Sequence, residues 1–111
     1  VCSSDLAQPA RHRMTHHAVR FLPEAVADLL ETQRWYGRRE PALARDFAET
    51  VAAGVQRIRH APQSFPLVHG PIRRLVLSRF PYALYFREQG DEIIVLALHG
   101  RQDPQRWQQR N

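Results

Sequence analysis

Lysine is missing from this chain. All sixteen basic residues are arginine, and the formal charge is +5. Arginine stays charged at any physiological pH and presents a planar donor fork matched to phosphate and carboxylate. A GC-rich genome also yields arginine for lysine, so the sign of the charge says more than the residue choice. It points to an anionic partner, either nucleic acid or an acidic protein segment. Cysteine is nearly absent: Cys2 alone excludes an internal disulfide and a CxxC metal site, and fits the reducing cytoplasm. No apolar run approaches the ~20 residues that span a bilayer. No signal-peptide hydrophobic region stands near the N-terminus. His60 and His69 flank a proline-rich stretch at a spacing that forms no zinc motif. No metal, cofactor or membrane partner is expected, and 111 residues suit one domain with a modest core.

Residues 1–13, "VCSSDLAQPARHR", carry no sustained periodicity and read as a non-native or disordered extension, with one domain over 14–111. "HAVRFLP" alternates as a short strand. Pro23 and Glu24 open a first helix, and Gly37 reads as its C-cap before a "GRRE" turn. Pro41 opens a second helix with the strongest stripe in the chain, Ala44, Phe47, Val51, Val55 and Ile58, which Pro62 ends. Glu24, Asp28 and Glu31 read as a solvated helix face. "APQSFPLVHGP" is a connection. Three strands follow: Ile72 to Phe80, Tyr82 to Glu88, and Glu92 to His99. Gly90 supplies a positive φ at the last turn. The final strand is apolar on both faces, so it belongs inside the sheet. The order β-α-α-β-β-β defines an α+β fold: a mainly antiparallel four-stranded sheet with a helical hairpin on one face.

Four stretches in order, "FLPEAVADLLE", "IRRLVLSRFPYALYF", "IIVLALHGR" and "DPQRW", resemble the RelE/ParE superfamily of bacterial type II toxins, the plasmid-stabilisation proteins, on its ParE-like branch. The resemblance runs from about Ala18 to Trp107. It implies a growth-inhibiting toxin held inactive by a cognate antitoxin, whose acidic C-terminal segment folds onto it. Two mechanisms occur in such proteins. ParE-type members poison DNA gyrase, whereas RelE-type members cut mRNA in the ribosomal A site.

Metal-independent RNA cleavage needs cations for the developing charge and an acid and base for the proton transfers. On the nuclease reading the candidates are Arg101, at the basic position after the last strand, Arg73 on the second strand, and His99. Imidazole titrates near neutrality, though a histidine at a strand end also serves as a hydrogen-bonded structural residue. Several positions depart from the nuclease pattern. Tyr82 stands where nuclease members carry arginine, Leu75 replaces a second basic residue, and Trp107 stands in place of a functional tyrosine. These departures favour the ParE-like mechanism. Candidates for target or antitoxin binding are Arg73, Arg79, Tyr82, Arg101 and Trp107. A third expectation is a non-toxic member acting as an antitoxin-binding or autorepression module.

Overall fold

The computed structural model describes residues 17–100. The strands are β1 (Ala18–Phe21), β2 (Leu67–His69), β3 (Ile72–Val76), β4 (Tyr82–Gln89) and β5 (Glu92–Gly100). The helices are α1 (Pro23–Arg39) and α2 (Pro41–His60), and a single 3₁₀ turn covers Pro62–Ser64. The sheet has five strands in the order β1-β5-β4-β3-β2. β1 runs parallel to β5, and the other pairs are antiparallel. No described helix is long and apolar enough to cross a membrane.

Two buried layers hold the sheet. On the helix side, Ala25 of α1 and Phe47, Val51 and Ile58 of α2 pack on Leu75, Leu84, Phe86, Ile93, Val95 and Leu98. On the other side lie Ile72, Ala83, Tyr85, Ile94, Leu96 and Ala97. β5 contributes to both layers, which is why its apolar run shows no alternation. Leu96 and Ala97, adjacent in sequence, share a side because the pairing slips there: Phe86 faces Val95 while Tyr85 faces Ala97. This bulge returns Leu98 to the helix side opposite Leu84.

The structure corrects four expectations. β2 adds a fifth strand inside the expected connection. It is three residues long and framed by Pro66 and Pro71, too short for any alternation to show. Its turn is made by Gly70 at φ 53°, just as Gly90 at φ 60° turns β4 into β5. β3 stops at Val76 rather than Phe80. Leu77 N–H donates to Tyr82 O (3.0 Å) and Tyr82 N–H to Phe80 O (2.8 Å), so the chain turns and delivers Phe80 into the core.

Gly37 does not cap α1, which continues to Arg39. Glu40, held extended by the proline after it, both ends α1 and begins α2. Gly37 instead marks close approach of the hairpin arms: a Cβ there would lie 3.3 Å from Ala44 Cβ. Gly54 does the same for α2 over β3, where a Cβ would meet Leu75 Cδ2 at 3.1 Å. Gly54→Val forces these elements apart and is expected to lower stability by about 1–3 kcal/mol. Chemical denaturation measures it, and an unchanged midpoint would contradict the close approach.

The fourth correction concerns α1. Asp28, expected in solvent, has only 11% of its side chain exposed, while the apolar Leu30 of the same helix is 45% exposed.

Candidate functional site

β1 ends at Phe21, paired with Val95, because Pro23 starts a helix two residues later. Leu22 N–H still donates to Val95 O at 3.0 Å, after which β5 has no described strand on that side. The helix that β1 feeds supplies the missing partner: Asp28 Oδ2 accepts the Leu98 N–H at 3.2 Å. The same oxygen lies 3.9 Å from His99 Nε2, and the His99 side chain is only 5% exposed. A charged acceptor is thus set at the exit of β5, where an unpaired amide would otherwise be buried.

Around this pair is a cleft of about 260 Å³. One wall is α1, with Asp28, Glu31, Thr32 and Trp35 at helical spacing. The other is the sheet end, with Tyr82, Leu98, His99 and Gly100, Tyr82 being paired with Gly100. Arg39 lies over the Trp35 ring, 4.0 Å from its centroid, and Trp35 remains 42% exposed. Behind the cleft Tyr36, Phe47, Phe80 and Tyr82 form an aromatic cluster, with ring centroids 4.9 Å apart for Tyr36 and Phe80 and 6.4 Å for Tyr36 and Tyr82. The Tyr36 hydroxyl titrates above the ordinary phenol value. Burial is the main cause, and the Tyr82 phenol beside it adds charge and hydrogen-bond contributions.

A raised phenol pKa means that the folded chain holds this proton more tightly than the unfolded one. Its stabilising contribution is complete below the ordinary phenol pKa and fades as pH rises through the folded value. An ultraviolet titration should show a tyrosine component ionising later than free tyrosine, and Tyr36→Phe should remove that component. Persistence of the late component in the variant would assign it elsewhere.

The expected site residues separate. His99 and Tyr82 meet in the cleft. Arg73 does not join them. It pairs with Phe86, which faces Val95, four residues before His99. Its Nη1 donates to Phe65 O at 2.7 Å and to Gln63 O at 3.4 Å, tying the connection after α2 to the sheet. Arg79 lies on the turn after β3 and pairs with Asp46 of α2 at 3.2 Å, with 60% of its side chain exposed. Leu75, at a basic position of the nuclease pattern, is a core residue. Arg101 and Trp107 lie outside the described residues, as does the expected extension over 1–13.

Sequence reasoning missed the α1 wall. Asp28, Glu31, Thr32 and Trp35 recur at three- and four-residue steps, which is the signal for a shared face, but the charge of Asp28 and Glu31 makes that face read as solvated. Among the described residues, no group of three or more His, Cys, Asp or Glu is placed to hold a metal ion.

The helical hairpin on a β1-β5-β4-β3-β2 sheet is the α+β architecture expected of the toxins that the sequence resembles. The family of ParE toxins of type II toxin–antitoxin systems matches over residues 19–104, and the chain belongs to it. The protein is therefore a toxin of the ParE/RelE superfamily. It is similar in structure to a chain of the chromosomal ParDE toxin–antitoxin system of P. aeruginosa, with TM-score 0.68 and 23% identity over 79% of this chain and 97% of that one. It is also similar to a chain of the toxin–antitoxin complex RelBE2 of Mycobacterium tuberculosis, with TM-score 0.51 and 21% identity over 78% of this chain and 99% of that one. No curated protein sequence matches the chain.

Proposed function

We propose that this toxin acts on DNA gyrase and is neutralised by a cognate antitoxin through an acidic C-terminal segment. The observation that carries the choice of target is the chemistry around His99. Among the described residues, the cleft is lined by two carboxylates, Asp28 and Glu31, and by no arginine. Carboxylates repel a scissile phosphate and offer no stabilisation to the charge that builds on it. Arg73 is engaged by backbone carbonyls, and Leu75 is buried, so among the described strand positions of the nuclease pattern neither brings a cation to the cleft. His99 then serves as the partner of Asp28 at the strand exit rather than as an acid or base. Family membership and these departures together favour binding to a protein target over RNA cleavage.

The antitoxin reading rests on the charge of +5 and on the two similar structures, each from a toxin–antitoxin system. A basic toxin and an acidic segment associate rapidly through electrostatic steering. Induced expression should arrest growth, and co-expression of the adjacent small gene should relieve the arrest and yield a complex. Arrest with no relief and no complex would defeat the antitoxin reading. Harmless overexpression of folded protein would favour a non-toxic binding module.

A further inference from the structure

We propose that the outward face at the tip of the helical hairpin binds the phosphate backbone of duplex DNA. The gyrase reading above sets only where that DNA is met; the binding itself stands on the residues of the tip. α1 ends and α2 begins at Glu40, and four arginines lie within one turn of the close approach between Gly37 and Ala44: Arg34, Arg38 and Arg39 of α1, and Arg45 of α2. Gln33 Nε2 donates to Ala44 O at 3.3 Å, which ties the two arms together at this point. All four arginines are exposed. Arg34 and Arg38 stand one turn apart on one stripe of α1, and Trp35 and Arg39 one turn apart on the next. Arg39 is seated 4.0 Å from the centroid of the Trp35 ring. Stacking uses the guanidinium face and leaves its edge N–H groups for a second partner. Elsewhere arginines are engaged: Arg20 pairs with Glu92, Arg79 with Asp46, and Arg73 donates to carbonyls. None of the four tip arginines pairs with a described carboxylate.

The character of this surface selects the anion. Residues 34–45 carry four arginines against one carboxylate, Glu40. Duplex DNA presents one negative charge per about 1.7 Å of its axis, so a cluster of arginines meets several phosphates together and releases their counterions. Arg34 and Arg38 are about 6 Å apart along the helix axis, close enough to act on one stretch of backbone. None of the four lines the cleft at the exit of β5 or the apolar groove between the two helices. Beyond the Trp35 ring the tip therefore gives the apolar side chains of a protein segment no seat, whereas a sugar–phosphate backbone needs none. Glu31 marks the border of the patch. It lies one turn before Trp35 and lines the cleft, so the DNA backbone runs over the outer stripe of Arg34 and Arg38, away from the cleft carboxylates. Contacts of this kind position a protein on the duplex without reading base sequence.

Fluorescence anisotropy of a labelled duplex of mixed sequence, titrated with the full chain at several salt concentrations, tests this without gyrase. The logarithm of the binding constant should fall with the logarithm of salt at a slope of about −3 to −4, about −0.9 for each phosphate contact. Arg34→Ala/Arg38→Ala should weaken binding about tenfold and flatten the slope by about 2. Arg34→Lys/Arg38→Lys keeps both charges and should keep the slope. Arg45→Ala, on the other helix, should flatten it by about 1 and supplies the reading if the double alanine variant fails to fold. Arg20→Ala is the control, an exposed arginine of β1 paired with Glu92, and should leave the slope unchanged. A wild-type chain with no salt-dependent binding, or folded alanine variants with the wild-type slope, overturns the proposal. Tighter binding to single-stranded RNA of the same length, lost in the double alanine variant, would assign the tip to RNA and also overturns it. DNA binding by the tip beside gyrase that stays fully active defeats the gyrase reading and leaves this proposal standing. Gyrase inhibition by a chain that binds no DNA defeats this proposal alone.

Discussion

Phe47→Ala is expected to lower the unfolding free energy by about 3–5 kcal/mol, the cost of emptying a well-packed aromatic site. Phe47 is 2% exposed and sits between three other rings. Its centroid is 5.3 Å from Phe80, 5.7 Å from Tyr36 and 6.4 Å from Tyr82. These rings come from α1, α2, β4 and the turn before β4, so the site cannot collapse without moving several elements. The loss should spread to the cleft, because Tyr82 lines it and Tyr36 follows Trp35 in the helix that walls it. Phe47→Leu keeps most of the volume and should cost clearly less. Guanidinium unfolding monitored by tryptophan fluorescence provides the comparison. A loss below about 1 kcal/mol for the alanine variant would mean that the cluster is not a packed core.

The second large effect is at Asp28. Asp28→Ala removes the acceptor of the Leu98 N–H and leaves that amide at a strand exit with no described replacement. Hydrogen bonds to charged groups contribute about 1.5–3 kcal/mol, and a loss in this range is expected. Asp28→Asn retains an oxygen acceptor and should recover part of the loss. The control is Glu24→Ala on the same helix: Glu24 is exposed, and its removal should stay within about 0.5 kcal/mol. Amide exchange at Leu98 should accelerate in Asp28→Ala and remain slow in the control. Equal, small effects at both positions would restore the reading of α1's acidic residues as a solvated face.

This contrast shows where the sequence was informative. Phe47, Val51 and Ile58 announce α2 because apolar residues at helical spacing have one economical solution, burial of a stripe. Ile93 to Leu98 announce an interior strand for the same reason. Both signals come from the dominant folding term, loss of apolar surface from water. Asp28 obeys a different term. It is partly buried because a strand exit needs an acceptor, and that need arises only once β1 has stopped short of β5's end. Nothing local to Asp28 records it. Phe80 likewise reads as one more β-rich residue of a strand, and only its contact with Tyr36 and Phe47 explains why the strand breaks before it. Gly37 was legible as a special position, but a cap and a helix crossing both call for the missing Cβ. Arg73 and Leu75 lie on a common strand side, since their partners Phe86 and Leu84 both belong to the helix-side core. What alternation could not show was that Arg73 turns to the carbonyls of the preceding connection.

A gyrase assay with the purified full chain tests the proposed protein target most directly. DNA gyrase, supercoiled and relaxed plasmid, and the toxin are combined with ATP, with and without the antitoxin partner. Loss of supercoiling activity and accumulation of covalent gyrase–DNA complexes are expected, both reversed by the partner. Gyrase that remains fully active beside a toxin that arrests growth, with induced cells showing mRNA cut within codons, would contradict it and return His99 and the arginines to a nuclease role.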